Sequence, residues 1–182
     1  NLIEQMLELA RADNARGKEL SGKVELGKLI LNALLTFEPV FFERGRMLEQ
    51  RVIEDIHVQG SAEQLRQIVD ILLDNARKYT EPPGTVNVRL ERWGHHRCRL
   101  TVSNPGPPLS AAEQKDIFKR FYRTDPARSR TAGFGLGLSI AQRITEEHHG
   151  RIWWRAAVDT IASPWNFRPG DQTDKNASRI RP

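Results

Sequence analysis

Gly133–Phe134–Gly135–Leu136–Gly137–Leu138 puts a glycine at every second position immediately before residues 139–149, a run whose spacing predicts a helix with Leu138, Ala141, Ile144 and Thr145 on one face. Without a Cβ at these points, backbone N–H groups can come close to a ligand, and the helix that follows adds the positive end of its dipole. Together they favour a bound anion, most simply a di- or triphosphate. A flexible glycine hinge is the competing reading of this stretch taken alone. The two common phosphate motifs are excluded, because there is no Gly-x-x-x-x-Gly-Lys-Ser/Thr and the spacing is not the Gly-x-Gly-x-x-Gly that follows a strand.

Working outward, Arg123–Thr124–Asp125–Pro126–Ala127–Arg128–Ser129–Arg130–Thr131 reads as a polar, basic loop, the character expected of a mobile lid over a phosphate site. Lys115, Lys119, Arg120, Arg123, Arg128 and Arg130 gather beside the glycine stretch, so positive charge lies where an anion is expected. A solvated charged face is the plainer alternative. The overall charge of +5 in 182 residues suits a polyanionic ligand, an acidic partner or nucleic acid and does not choose among them.

With 38% hydrophobic residues the chain suits one domain with a core plus a small appendage. No apolar run is long enough to span a bilayer, no secretory leader is recognised at the start, and the single cysteine, Cys98, excludes an internal disulfide and a cysteine-based zinc cluster. The expectation is a cytoplasmic domain.

Taken in order, residues 1–15 read as a helix with so broad an apolar stripe that it requires a partner, and Gly17 and Gly22 mark a linker. Residues 25–43 read as a helix interrupted near Pro39, and residues 46–58 as one strand-like stretch. Ser61 and Gln64 supply a capping box for a helix ending near Tyr79, with Leu65, Ile68, Leu72 and Ala76 as its buried stripe. At its end stands Leu72–Leu73–Asp74–Asn75–Ala76–Arg77–Lys78–Tyr79–Thr80, where Asn75, Lys78 and Tyr79 share a face. An amide oxygen able to ligate Mg²⁺, an ammonium able to meet a phosphate and an aromatic edge suit a nucleotide. A capped helix end with its polar residues turned to water is the bland reading.

Val86, Val88 and Leu90, then Cys98, Leu100 and Val102, alternate with polar residues on either side of Trp93–Gly94–His95–His96, which predicts a hairpin with one buried face. His95 and His96 lack acidic or cysteine neighbours at metal spacing. Ser110 and Glu113 open another helix through a capping box, with a mostly buried aromatic end at Ile117, Phe118, Phe121 and Tyr122. His148–His149–Gly150 reads as a C-terminus explained by the dipole and a glycine cap, and Ile152–Trp153–Trp154 as the start of a last strand. Beyond about residue 160 no regular pattern is legible.

Four of these stretches fall in a known order. The chain resembles the ATP-binding catalytic domain of bacterial two-component sensor histidine kinases, within the gyrase, Hsp90, histidine kinase and MutL ATPase superfamily. Asp74–Asn75–Ala76–Arg77–Lys78–Tyr79–Thr80 is similar to its asparagine box and Asn104–Pro105–Gly106–Pro107–Pro108 to its first glycine box. Ile117–Phe118–Lys119–Arg120–Phe121–Tyr122–Arg123 resembles its phenylalanine box, and Gly133 to Leu138 its second glycine box. The similarity covers residues 18–158.

The resemblance implies an α+β fold, a two-layer sandwich with helices on one face of a mixed sheet, and ATP and Mg²⁺ held between the asparagine-box helix and the lid. It implies that Asn75 ligates Mg²⁺, that Lys78 and Tyr79 meet the phosphates or the lid, and that Asn75 and Lys78 are the catalytic residues. Gly133, Gly135 and Gly137 would line the triphosphate and Asn104 would stand under the adenine amine, with Gly106, Arg123, Leu136 and Leu138 completing the nucleotide site. It further implies three segments: residues 1–16 as the end of a dimerisation helix, 17–158 as the kinase domain, and 159–182 as an irregular tail.

Three positions depart from the family pattern. Asn104 stands where Asp is usual, Pro108 replaces the box's second glycine, and Ile71 occupies a place taken by Asn in many kinases and by a general-base Glu in the hydrolases. None of His57, His95, His96, His148 or His149 has the neighbours of a phosphoacceptor. The expected partners are therefore a histidine-bearing dimerisation domain of the same protein, homodimeric in full length, and a response regulator receiver domain; nucleic acid is not expected, and the membrane only through regions N-terminal to this sequence. A degenerate nucleotide-binding scaffold and an anti-sigma-type serine kinase are the rival readings.

Overall fold

The computed structural model describes residues 22–94, 96–106, 108–124 and 134–154, together with the backbone of Ile161–Asn166. The expected helix over residues 1–15, the lid residues Arg128, Ser129 and Arg130, His95 and Gly133 lie outside the described residues.

Strand β1 (Lys23–Glu25) leads into helix α1 (Leu26–Phe42), followed by β2 (Arg46–Val52), β3 (His57–Gln59) and helix α2 (Ala62–Tyr79). The hairpin β4 (Gly84–Arg92) and β5 (Arg97–Ser103) comes next, then α3 (Ala111–Asp116), α4 (Gly137–Glu147) and β6 (Ile161–Asn166). The main sheet has the order β2-β4-β5-β6, with β2 parallel to β4 and the other neighbours antiparallel, while β1 and β3 form a separate antiparallel pair.

The alternation in the hairpin fixes which face is covered. Val86, Val88, Leu90, Cys98, Leu100 and Val102 are buried, and Val88 pairs with Val102 and Leu90 with Leu100, so one apolar face is continuous across both strands. Against it pack Leu26, Ile30 and Phe41 of α1, Leu65, Ile68 and Leu72 of α2, and Ile140 and Ile144 of α4. Asn87 and Arg89 on the intervening positions are exposed. Helices therefore cover one face of a mixed sheet, the expected two-layer α+β arrangement.

Several local expectations are corrected. Pro39 does not interrupt α1, because it lies in the last turn, where its missing N–H removes a single bond and its own carbonyl accepts from Glu43 N–H at 2.9 Å to close the helix. The single strand expected over residues 46–58 is two strands, since the chain turns at Glu54 to meet α1: Leu26 N–H donates to Ile56 O at 2.8 Å, and Gly27 lies so close to the Glu54 backbone that no Cβ fits between them. Ile152–Trp154 is not a strand; Trp153 forms an isolated bridge and packs on Trp93 with ring centroids 5.9 Å apart. The last strand among the described residues is β6, inside the stretch expected to be irregular. Its Pro164 obscured it, yet a residue without an N–H is tolerated on an edge strand, and Pro164 stands opposite Arg99 at the sheet's edge.

The capping expectations divide. At α3 the box is complete, with Glu113 Oε2 accepting from Ser110 N–H at 2.7 Å and Ser110 Oγ from Glu113 N–H at 3.3 Å. The aromatic residues beyond it are not core: only Ile117 is buried, and Phe121 is 57% exposed. At α2 only half a box forms. Ser61 Oγ accepts from Gln64 N–H, but the Gln64 side chain donates to Glu147 Oε2 at 3.3 Å, and Ser61 N–H donates to His148 Nε2 at 3.1 Å.

His148 is consequently a buried pin between α2 and α4 rather than a cation at a helix terminus. Its Nδ1–H donates to Ile144 O at 2.8 Å while Nε2 accepts from Ser61, which requires the neutral ring. Gly60 lies against that ring so closely that a Cβ would collide with it, and Gly60 N–H donates to Gly22 O at 2.8 Å. The left-handed residue ending α4 is His149, with φ 56°, and not Gly150.

Burial pushes the His148 pKa below its ordinary 6.5. A depressed folded pKa means that folded and unfolded states bind the same protons above 6.5, whereas below it the unfolded chain takes up a proton the folded chain resists. Stability should fall as the pH drops below that value, and melting midpoints across the range should decline more steeply for the native chain than for His148→Gln.

Candidate nucleotide site

The C-terminal end of α2, the loop after β5 and the start of α4 converge. Gly84 brings the first two together: a Cβ there would lie 2.5 Å from Thr80 Cγ2 and 3.2 Å from Pro105 Cγ. Thr80 caps the helix through its own side chain, donating Oγ1–H to Ala76 O at 2.6 Å, and its carbonyl accepts from Arg46 Nε at 2.6 Å. The end of α2 is thus fixed to the edge strand β2.

Asn75 is the residue whose surroundings most call for a ligand. Its Nδ2 is buried and has no hydrogen-bond partner, and leaving such a group unsatisfied costs about 1–3 kcal/mol. One turn earlier, Ile71 contacts the glycine stretch, with its Cγ2 3.3 Å from where a Gly137 Cβ would stand. The start of α4 is therefore held against the face of α2 that carries Asn75.

Helix α4 begins without a side-chain cap: Leu136, in the N-cap position, is fully buried and offers no acceptor. Its first N–H groups have no partner within the helix and lie at its positive end, a place that favours negative charge. Gly135 has φ +70°, and a Cβ on it would lie 2.6 Å from Tyr122 O and 2.8 Å from Phe121 C. The same contact is hydrogen-bonded, Phe121 N–H donating to Gly135 O at 2.9 Å, with Phe121 itself at φ 63°. The phenylalanine-box and second glycine-box stretches thus meet backbone to backbone. Leu138 packs on the core from a half-buried position.

Lys78 does not point freely at solvent. Its Nζ lies 2.5 Å from Asp74 Oδ2, while Arg77 approaches the other oxygen, Oδ1, with Nη2 at 2.6 Å and Nε at 3.1 Å. Burial alone would raise the Asp74 carboxyl, but the hydrogen bonds and charges of Lys78 and Arg77 outweigh it and hold it below its ordinary value. Tyr79 is 52% exposed, and Asn104 donates Nδ2–H to Pro105 O at 3.3 Å beside Gly106, whose Cβ position lies 3.8 Å from Tyr79 O.

Of the residues expected from sequence, Asn75, Lys78, Tyr79, Asn104, Gly106, Gly135, Leu136, Gly137 and Leu138 belong to these three neighbouring elements. Arg123, half-buried, follows the Phe121–Gly135 contact. Asp74 and Arg77 were assigned no role from sequence, although the i, i+4 spacing of Asp74 and Lys78 is a readable charge pair. Among the described residues no group of three or more His, Cys, Asp or Glu could hold a metal ion.

Residues 60–173 match the family described as histidine kinase-, DNA gyrase B- and HSP90-like ATPase. The sensor protein DltS of Streptococcus agalactiae serotype V is 36% identical over 151 residues, 83% of this chain and 38% of that protein. A mycobacterial sensor histidine kinase structure, MprB, superposes with a TM-score of 0.70 at 27% identity, covering 81% of this chain and 99% of that one. The histidine kinase ThkA, solved in complex with the response regulator protein TrrA, has a TM-score of 0.65 at 25% identity over 81% of this chain and 42% of that one. The chain spans little more than a third of the DltS length. With the uncapped start of α4 packed beside the asparagine of α2 in the same order of motifs, the chain belongs to the histidine kinase-, DNA gyrase B- and HSP90-like ATPase family, as the ATP-binding catalytic domain of sensor histidine kinases.

Proposed function

We propose that the cleft between the end of α2, residues 104–106 and the start of α4 binds Mg²⁺-ATP, and that this domain transfers the γ-phosphoryl group to a histidine on a helix-pair domain of the same protein. The observation that carries this reading is the uncapped N-terminus of α4 held by Ile71 one turn from the orphaned Asn75 amide. Mg²⁺, when bound, would neutralise phosphate charge, with Asn75 as its protein ligand. The α4 N–H groups would orient the phosphates, Lys78 would meet one of them, and Asn104 would accept from the adenine amine. A histidine nitrogen lone pair forms the new N–P bond as the bond from phosphorus to the ADP oxygen breaks, so the protein's contribution is positioning and charge neutralisation.

Ile71 bears on the reaction type. It has no group that could accept a proton from water, and it fills its place by packing on the core and on Gly137, so hydrolysis of ATP should be slow. A histidine acceptor needs little activation. The further partners are a receiver domain that takes the phosphoryl group onward, as ThkA's complex with TrrA suggests, and a second copy in a full-length homodimer. Among the described residues no helix is long and apolar enough to cross a membrane, and a cytoplasmic domain joined to any membrane anchor through other regions fits the reading.

The test is phosphoryl transfer from labelled ATP to the helix-pair domain of the parent protein. Transfer with negligible release of free phosphate is the expected result. Tight ATP binding without transfer, restored by Ile71→Asn, would instead identify a nucleotide-binding domain that has lost its chemistry.

A further inference from the structure

Asp74 divides its two carboxylate oxygens between two cations. Oδ2 faces Lys78 Nζ at 2.5 Å, and Oδ1 takes Arg77 through both Nη2 and Nε, at 2.6 and 3.1 Å. Lys78 can therefore leave without disturbing the Arg77 contact, and Asp74 would still keep one full counter-charge. Arg77 has less freedom than Lys78, because it holds Asp74 Oδ1 through two nitrogens of one rigid guanidinium.

We infer that Asp74 is a positioning residue that holds the Lys78 ammonium in reserve in the nucleotide-free domain, and that Arg77 is the permanent counter-ion that lets Lys78 pass to a nucleotide phosphate. The inference rests on the reading of Lys78 as a phosphate contact given above. The exchange is energetically open. Asp74 keeps 36% of its side chain exposed, and a pair so placed is worth little, whereas a triphosphate offers several negative oxygens to the same ammonium. Because the clamp competes with the phosphates, it weakens ATP binding and leaves ligands without a phosphate chain unaffected.

The test is calorimetric titration of this chain with Mg²⁺-ATP and with adenosine, the adenosine titration showing that the adenine site is folded. Asp74→Asn should tighten ATP binding roughly twofold to fivefold, the scale of a partly exposed ion pair, with adenosine unchanged. Asp74→Glu, which keeps the charge, should bind as the native chain does. Arg77→Gln should act in the opposite direction, because Asp74 then depends on Lys78 alone, and that arm decides the matter if Asp74→Asn does not fold. Both effects should vanish in a Lys78→Met background. Unchanged or weakened ATP binding in Asp74→Asn, with Lys78→Met still weakening it, would overturn the clamp and leave the phosphate role of Lys78 standing. A gain that persists without Lys78 would reduce Asp74 to a bulk repulsive charge. No effect of Lys78→Met on ATP would remove both the clamp and the phosphate contact.

Discussion

Asn75→Ala should abolish the Mg²⁺-dependent part of ATP binding while leaving the domain as stable as before, or slightly more so. The two halves of this expectation belong to the two atoms of one amide, Nδ2 for stability and Oδ1 for the ion. In the nucleotide-free domain the Asn75 Nδ2 is buried without a partner, so the side chain carries a desolvation cost that no protein contact offsets. Replacing it with alanine removes that polar group from the end of α2, and the neighbouring Ala76 and Thr80 bonds that cap the helix do not involve it. The bound state loses the amide that would ligate the ion. Even groups that only support a metal ligand cost roughly tenfold to a hundredfold in affinity when lost, so a direct ligand should cost at least as much. Calorimetry with and without Mg²⁺, beside a denaturant titration, reads both signs. Affinity unaltered by the substitution and by Mg²⁺ would show that the site is wrongly assigned.

Gly135→Ala should destabilise the domain by about 2–4 kcal/mol and remove most triphosphate binding, with a much smaller effect on AMP. Two penalties combine here. An alanine at φ +70° is strained by about 1–2 kcal/mol, and its Cβ would have to push away Tyr122 O, 2.6 Å off, and Phe121 C, 2.8 Å off. Both are backbone atoms, so no side-chain rotation relieves the contact. Gly94 supplies the control, because it has nearly the same backbone, φ +69°, and nothing within 4 Å of its Cβ position. Gly94→Ala should show the conformational penalty alone. The difference between the two midpoints in denaturant isolates the contact between the two boxes, and equal costs would mean that the contact yields.

The parts of this fold that were readable in advance are those in which one residue type serves one purpose at a fixed spacing. Val86, Val88 and Leu90 declared a half-buried strand, and Ser110 with Glu113 a cap, because alternation and capping are local chemistry. The order of motifs pointed to Asn75, Gly135 and Gly137, and the structure sets Gly137 against Ile71, one turn before Asn75. What escaped were features decided by distant neighbours. His148 read as a helix-end charge, since nothing near it in sequence reveals that Ser61 N–H supplies its second bond from 87 positions away. β6 escaped because its pairing is dictated by the open edge of β5, against the local signal of Pro164. Lys78 read as an ammonium able to meet a phosphate, and its pairing with Asp74 escaped because the carboxylate that holds it also serves Arg77, a division decided by side-chain geometry.

The bond from Phe121 N–H to Gly135 O also sets the terms on which the segment between them can vary. Its two ends meet at a fixed point, as the ends of a loop do. The entropy of closing such a loop grows only with the logarithm of its length, and doubling it adds about 0.6 kcal/mol. Added length between the two boxes is therefore expected to cost little closure entropy. A lineage could rewrite that stretch to suit a new acceptor or a new nucleotide affinity while the clasp, and everything packed beneath it, stays as it is.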